Sequence, residues 1–398
     1  MFSILPTQPK RRLKNGSDAF QVLYMMQFIV AITIALPTYI NSSFLSTYAT
    51  DSMVGLLYTG SSILTFFFML LMPWILNRFG NYRTAFVVAV TSVLLTLGLA
   101  FLELPFSIYA LFIVYVALTT VILFTMDVFI ERYSSDKHTG SIRGFFLTIA
   151  NVAFVISPFI AGSILTNGDY WKIYILATIS MAAFLLILIT NFRDFKDPKY
   201  DRVPFWDTFK EVMKKRDVAL VFVTAIALRF FYAWMVIYSP LYLHETLGFA
   251  WNEIGIMFTV MLLPFVLFEI PAGKLADTKW GEKELLAGGF ILTGITTAVL
   301  SFITSTDMWV WTAALFATRI GASIIEIMTE SYFFKKVDST DTHIIGFFRN
   351  SRPLAYIIAP MIASGLLLIL PLQYIFIAAG VLVVLFGLPA TLMLKDTK

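Results

Sequence analysis

The sequence predicts an all-α membrane protein whose twelve transmembrane helices form two six-helix bundles related by pseudo-symmetry. Three observations lead to this prediction. The 398 residues are 59% hydrophobic and only 14% charged, far more apolar than a soluble domain. Apolar stretches of about 19 to 26 residues recur along the chain, and as a helix each can cross a hydrocarbon core of about 30 Å. A segment of the second half of the chain also repeats a segment of the first half.

The apolar runs are continuous and do not alternate with a period of two, which indicates helices and not a β-barrel. Windows of about nineteen residues place six spanning helices in each half of the chain. The spans of the first half are residues 19–41, 53–76, 84–102, 106–130, 144–166 and 171–192. The spans of the second half are residues 218–240, 252–276, 284–304, 308–333, 344–369 and 372–394.

These spans divide the chain into an N-terminal bundle, a linker and a C-terminal bundle, at residues 1–192, 193–217 and 218–398. The linker carries four apolar side chains at helical spacing, which are Phe205, Phe209, Val212 and Met213. We expect an amphipathic helix there, cytoplasmic in location, whose apolar stripe rests in the headgroup region of the bilayer. A plain solvated linker is the alternative.

The positive charges are distributed asymmetrically. Of the 29 Lys and Arg residues, 24 fall in the termini and in the loops on the same side as the termini, whereas the opposite side has only Lys172. This asymmetry predicts a multi-pass protein of the inner (plasma) membrane with both termini in the cytoplasm. It also accounts for the net charge of +4 without a nucleic-acid partner.

Several kinds of chemistry have no support in the sequence. The absence of cysteine excludes disulfide, thiolate-zinc and iron-sulfur sites, and the three histidines lie in different predicted loops or helix ends. No P-loop is present, so ATP drive is not expected. A membrane enzyme would need a cluster of histidines and carboxylates, and none is visible. We therefore expect no metal, no cofactor and no enzymatic activity.

The repeat joins residues 142–162 to residues 344–364 without gaps, at an offset of 202 residues. Gly144 matches Gly346, and Pro158 matches Pro360. Two six-helix units in the same topology are related by an axis along the membrane normal, and in transporters built this way the substrate site lies between the halves. The duplication therefore predicts a central cavity and a rocking motion of one half against the other.

Two loops at equivalent positions of the halves carry related sequences, LNRFGNYR from Leu76 to Arg83 and GKLADTKWGEK from Gly273 to Lys283. Both resemble the G-x-L-a-D-R-x-G-R-R signature of the major facilitator superfamily. The matching positions are Asn77, Arg78, Gly80, Arg83, Gly273, Asp277 and Gly281. The resemblance covers essentially the whole chain and implies the major facilitator fold, commonly a monomer, that moves a small solute by alternating access.

The chain departs from the family signature at two points. Asn77 stands where the family has Asp, and one extra residue lies between Asp277 and Gly281. In the family these positions belong to a charge network at the cytoplasmic gate. The resemblance implies pairing of Arg78 with Asp127 or Glu131, and of Lys279 or Lys283 with Glu326 or Glu330, with Arg349 and Arg352 on the eleventh helix nearby. Snorkelling or solvated side chains are the alternative.

The fifth span contains SPFIAG, from Ser157 to Gly162, which resembles a degraded form of a motif of drug:proton antiporters in the superfamily. This resemblance favours export coupled to protons. The eleventh span carries the parallel sequence APMIAS, so a kink and close helix packing in both halves explain the motif equally well.

Ionisable residues at bilayer depth usually face a partner or a wet cavity. Arg229 and Arg319 lie near the middle of the seventh and tenth spans, and Tyr232 shares a face with Arg229. The first span offers Tyr24, Gln27 and Phe28. We take these six residues as the candidate substrate-binding set, and the arginines favour an anionic, zwitterionic or amphipathic solute.

Glu269, in the eighth span, is the first candidate for proton coupling, and Asp127 is the second. A permanent ion pair of Glu269 with Arg229, Arg319 or Arg352 is the alternative. The sequence thus predicts a proton-coupled secondary transporter, with export favoured. The other interpretations are an uptake permease or uniporter for an anionic metabolite, and a non-transporting receptor-like protein, which the altered Asn77 favours.

Overall fold

A computed structural model describes residues 16–133, 139–166, 168–198, 205–337 and 342–395, and these residues contain α-helices and no strand. The helices of the first half are α1 (Gly16–Thr38), α2 (Asn41–Ser46), α3 (Asp51–Phe79), α4 (Asn81–Phe101), α5 (Pro105–Tyr133), α6 (Thr139–Ile164) and α7 (Tyr170–Phe192). The rest are α8 (Phe205–Lys214), α9 (Arg216–Leu241), α10 (Trp251–Leu275), α11 (Glu282–Val299), α12 (Met308–Lys336), α13 (Thr342–Arg349), α14 (Ser351–Leu366) and α15 (Ile375–Leu392).

Of the described residues, ten helical segments are long and apolar enough to cross a membrane. The fifth and eleventh predicted spans correspond to α6 and to the pair α13 and α14. These two complete the predicted set of twelve.

The packing of the helices repeats from one half to the other. In the first half α1 packs on α5, α6 and α7, and in the second half α9 packs on α12, α14 and α15. Likewise, α4 packs on α5 and α7 as α11 packs on α12 and α15. The two six-helix bundles therefore have the same internal arrangement, which confirms the predicted fold class.

The halves meet along two equivalent seams, α3 against α14 and α6 against α10. A Cβ atom added to Gly255 would lie 2.5 Å from the carbonyl oxygen of Pro158, and one added to Gly55 would lie 3.0 Å from that of Pro360. Glycine permits this backbone approach because it has no side chain. The close contacts lie at the helix ends opposite the signature loops, and both SPFIAG and APMIAS take part in them.

The two signature loops form matching turns on the other side of the bundle, which we call the basic side. Gly80 has φ 78° and ψ 163°, and Gly281 has φ 81° and ψ 165°. The Gly80 N–H donates to the carbonyl of Leu76, four residues back, whereas the Gly281 N–H donates to that of Ala276, five residues back. The extra residue of the second loop is thus accommodated as a π-turn over Ala276–Trp280.

Replacing Gly281 by Ala is expected to destabilise the protein by about 1–3 kcal/mol, because its backbone conformation is essentially restricted to glycine. Thermal unfolding of the purified protein measures the effect. Gly288→Ala is the matched control, since Gly288 lies on α11, the helix that begins directly after Gly281, and nothing is within 4 Å of an added Cβ. Equal melting temperatures for the two variants would contradict the strained turn.

The predicted eleventh span, residues 344–369, is not one continuous helix. It is divided at Asn350 into α13 and α14, whereas its counterpart α6 runs without a break. Pro353 stands where the first copy has Asn151. Proline cannot donate a hydrogen bond to the carbonyl four residues back and clashes with it, but it is tolerated in the first turn of a helix. The chain therefore restarts a helix at Ser351.

The linker contains a helix, α8, and part of its predicted apolar stripe packs on the protein itself. The ring of Phe205 lies 5.7 Å from that of Phe66 on α3 and 5.3 Å from that of Phe347 on α13. Val212 is buried. Phe205 and Val212 therefore pack on the protein, whereas Met213 is exposed.

Candidate functional site

An ion pair between two spanning helices forms the centre of the candidate site. Nη1 of Arg229 on α9 lies 3.0 Å from Oε1 of Glu326 on α12. The Tyr232 hydroxyl donates to Oε2 of the same carboxylate at 2.8 Å. Arg229 and Tyr232 are three residues apart on α9, so both reach one acceptor. We call Arg229, Tyr232 and Glu326 the central cluster.

Glu269 on α10 faces the central cluster. It interacts electrostatically with Glu326, and the ring of Phe265, one turn earlier, lies 6.0 Å from the ring of Tyr232. Among the described residues Glu269 forms no ion pair, and Arg229 is paired with Glu326 instead. The site therefore holds one paired guanidinium, that of Arg229, and a second carboxylate, that of Glu269, which interacts with the paired Glu326.

Arg319 on α12 is buried, with only 2% of its surface exposed. Its guanidinium carbon lies 4.7 Å from the ring centroid of Phe231 and 5.9 Å from that of Tyr232. It also interacts electrostatically with Tyr39 and Tyr356. Within the described part of the chain Arg319 has no ion pair, and its Nη1 has no hydrogen-bond partner.

A cavity of about 170 Å³ lies on the basic side of the central cluster. Its charged lining residues are Arg229, Glu326, Glu330, Arg349 and Arg352. Nη1 of Arg349 donates to Oε1 of Glu330 at 3.0 Å, and the guanidinium of Arg352 lies 5.7 Å from the ring of Tyr356. Three arginines against two glutamates give this lining a surplus of positive charge.

The structure does not bring the three candidates of the first helix to this centre. The ring of Tyr24 packs edge-on against Phe145 of α6 at 4.8 Å, while Gln27 is buried and Phe28 is partly exposed. In the described part of the chain none of them contacts Arg229 or Arg319. Tyr39, in the turn directly after α1, interacts electrostatically with Arg319 instead.

The predicted ion pairs of the second signature loop are wrong. Glu326 pairs with Arg229, and Glu330 pairs with Arg349, so neither meets Lys279 or Lys283. These partners come from helices adjacent in space, which the loop sequence alone does not indicate. Gly273 lies near the end of α10 with open space around it, and the Asp277 side chain is outside the described residues.

The network expected at the first signature loop lies partly outside the described residues. The Asn77 side-chain amide donates to the carbonyl of Pro73 on its own helix at 2.7 Å. Within the described residues Arg78 forms no ion pair with Asp127, which is exposed, and the Glu131 side chain lies outside those residues. The Asn81 N–H at the start of α4 donates to Asp197 of the linker at 2.6 Å.

A further apolar groove of about 590 Å³ lies on the outer surface of α3, α4 and α5. Arg83, the last residue of the first signature, lines its edge and is exposed. The side chains around Arg83 in this groove are almost all apolar, so its surroundings differ from those expected of a charged gate.

Comparison with known families decides the identity of the chain. The sequence model described as Major Facilitator Superfamily matches residues 21–252 and again residues 221–398. The chain belongs to the major facilitator superfamily. It is thus a multi-pass membrane protein of a family of secondary transporters, and the two overlapping matches agree with the two similar halves.

Solved transporters have the same fold. A variant of the nucleoside transporter NupG has a TM-score of 0.74 at 11% identity, covering 96% of this chain and 100% of that one. The POT family transporter PepTSo has a TM-score of 0.78 at 10% identity, covering 97% and 98%. A bacterial homologue of the human lysosomal transporter Spinster, inward-facing and unoccupied, has a TM-score of 0.72 at 13% identity, covering 97% of both chains. No curated protein sequence matches the chain.

Proposed function

We propose that this transporter couples the movement of a small anionic solute to the movement of protons by alternating access. The observation that supports the proposal is the pairing of Glu326 with Arg229, together with the electrostatic interaction of Glu269 with Glu326. Two neighbouring carboxylates repel each other, and a proton held between them removes that repulsion. Asp127 is not needed for this step.

In the proposed cycle a proton passes from Glu269 to Glu326 and weakens the attraction of Glu326 for Arg229. The positive charge of Arg229 then draws an anionic solute into the site. Loss of the proton restores the pair of Arg229 and Glu326 and releases the solute. The surplus of arginines in the adjacent cavity supports an anionic solute.

We further propose that the basic side is the cytoplasmic side, in accordance with the positive-inside rule. The described seams between the halves then close the external side, and the cavity at Arg229 and Arg352 lies towards the cytoplasm. The inward-facing conformation of the Spinster homologue supports this interpretation at the level of the fold.

The resemblance of SPFIAG to an antiporter motif favours export, but the packing of this segment offers another explanation for its sequence. Pro158 and Gly162 pack against Gly255 across one seam, and the parallel APMIAS segment packs against Gly55 across the other. Close packing of both halves accounts for both segments. A uniporter for an anionic metabolite is the second candidate, because the arginine surplus would serve it without any proton step.

Liposomes that contain the protein and a pH-sensitive dye test the proposal. A proton gradient is imposed, pooled anionic and amphipathic solutes are screened from each side, and protein-free liposomes measure passive diffusion. We expect solute-dependent proton movement in the parent and a reduction of about tenfold or more in Glu269→Gln, because the glutamine cannot carry a proton.

Glu253→Gln is the matched control, since Glu253 lies in the first turn of the same helix α10, where its carboxylate accepts from the Ala250 N–H. We expect it to retain proton movement. Solute flux that needs no proton gradient and is unchanged by Glu269→Gln would make the protein a uniporter and would contradict the proposed coupling.

A further inference from the structure

Arg319 differs from the other arginines at membrane depth. Arg229 pairs with Glu326, Arg349 pairs with Glu330, and Arg352 is partly exposed beside the ring of Tyr356. Arg319 is the most deeply buried of the four, and among the described residues no carboxylate lies within ion-pair distance of it. An uncompensated charge at that depth is costly, and such a residue usually faces a ligand or a partner.

The groups around Arg319 are suited to an anion. Tyr39, in the turn that follows α1, and Tyr356 on α14 both interact electrostatically with its guanidinium, and a tyrosine hydroxyl can donate to a carboxylate. The ring of Tyr39 is held by Phe258 of α10 at 5.0 Å, across the two halves. The groups that interact with Arg319 therefore come from both bundles.

We propose that Arg319, Tyr39 and Tyr356 bind the carboxylate of an amphipathic, monoanionic solute. This inference rests on the proposed function and names the class of solute that the transporter moves. One guanidinium balances one negative charge, whereas a dianion such as a phosphate monoester would leave a second charge buried without a partner. A carboxylate also matches the planar fork of the guanidinium.

The surroundings select the rest of the solute. The Arg319 guanidinium lies over the rings of Phe231 and Tyr232, and Phe258 closes the far side of Tyr39. These aromatic surfaces favour an apolar or aromatic body attached to the carboxylate.

Tyr232 connects this site to the proton step. Its ring is close to both guanidinium groups, 5.6 Å from that of Arg229 and 5.9 Å from that of Arg319. Its hydroxyl is held by Glu326, which is seven residues, or about two helical turns, from Arg319. A proton on Glu326 weakens that hydrogen bond and frees Tyr232 to move, which opens a path from the cavity to Arg319.

Calorimetric titration of the purified protein in detergent, near neutral pH, tests the site directly. The probes are 3-phenylpropanoate, its neutral amide 3-phenylpropanamide, and phenylphosphonate, which is compared with the acid at mildly alkaline pH, where the phosphonate is a dianion. We expect the carboxylate to bind about tenfold or more tightly than either of the other probes. The amide cannot form the charge pair with Arg319, and the phosphonate brings a second negative charge that has no partner. Equal binding of the acid and the amide, tighter binding of the phosphonate, or no binding of the acid would overturn the proposal.

Variants assign the binding to the named residues. Arg319→Gln is expected to weaken carboxylate binding about tenfold or more, and Tyr39→Phe and Tyr356→Phe to weaken it to a lesser degree. Arg216→Gln, at the exposed start of α9, is the control and should bind as the parent does. If Arg319→Gln does not fold, the two tyrosine variants and the comparison of acid with amide still decide the question. Unchanged binding in all three site variants would contradict the assignment.

This binding test needs no proton gradient, so its result is separate from that of the flux assay. Carboxylate binding that depends on Arg319, without solute-driven proton movement, would support the binding site and contradict the proposed proton coupling. Proton-coupled flux without such binding would support the coupling and contradict the binding site at Arg319.

Discussion

Glu326→Gln is expected to give the largest loss of stability and of transport among single substitutions in the central cluster. Arg229 would lose its anion, and the Tyr232 hydroxyl would lose its carboxylate acceptor. Removing one member of a largely buried ion pair leaves the other charge without compensation, at a cost of about 3 kcal/mol. Thermal unfolding in detergent and solute flux in liposomes measure the two losses.

Glu330→Gln is a closely matched control, because Glu330 lies one turn further along α12 and pairs with Arg349, whose side chain is 54% exposed. An exposed pair contributes about 1 kcal/mol or less. The double variant of Arg229→Gln with Glu326→Gln should recover part of the stability that Glu326→Gln loses. Equal losses for Glu326→Gln and Glu330→Gln would show that the central cluster is not special.

Gly255→Ala is expected to prevent close packing of α6 and α10. The added Cβ would lie 2.5 Å from the Pro158 carbonyl oxygen and 3.1 Å from the Gly162 Cα, and backbone atoms cannot move aside as a side chain can. Overpacking of this kind costs about 1–3 kcal/mol. Because the seam must close in every transport cycle, we expect flux to fall about tenfold or more.

Gly365→Ala controls for the loss of glycine as such. Gly365 lies near the same end of the bundle, on α14, and nothing is within 4 Å of an added Cβ. Its flux and melting temperature should stay close to those of the parent. Normal flux in Gly255→Ala would mean that the seam is not required to close.

The fold could be predicted almost completely from the sequence, because the signals for it are local. Apolar stretches of spanning length identify the helices, and the repeat of residues 142–162 in residues 344–364 identifies the two halves. The main errors are also local. The break at Asn350 follows from Pro353. The first copy of the repeat has no proline at the equivalent position.

The candidate site could be predicted only in part, because its contacts join distant parts of the chain. Arg229, Tyr232 and Arg319 were identified by charge and spacing, and they do lie together. Glu326 was placed in a gate because it follows the family pattern, yet its partner Arg229 is 97 residues away in the chain, on another helix. Tyr39 was missed because a tyrosine in an apolar span gives no sequence signal of its own.

The motif departures have different structural consequences. The additional residue before Gly281 is absorbed by a π-turn and leaves the turn geometry the same as at Gly80. Asn77, in contrast, folds back onto its own helix. A sequence comparison shows both as differences from the family pattern, but only the backbone hydrogen bonds show that the first is accommodated.

Distances between spin labels test most directly the claim that the two halves rock about the glycine seams. The chain has no cysteine, so labelled pairs can be introduced without other changes. One pair, Thr50→Cys with Leu368→Cys, spans the halves at the seam side, and the other, Phe79→Cys with Trp280→Cys, spans them at the basic side. All four positions are exposed.

The account predicts that 3-phenylpropanoate at mildly acidic pH lengthens the first distance and shortens the second, because closing one side opens the other. Double electron–electron resonance in liposomes would measure both distances. Two distances that stay fixed, or that change in the same direction, would contradict the account.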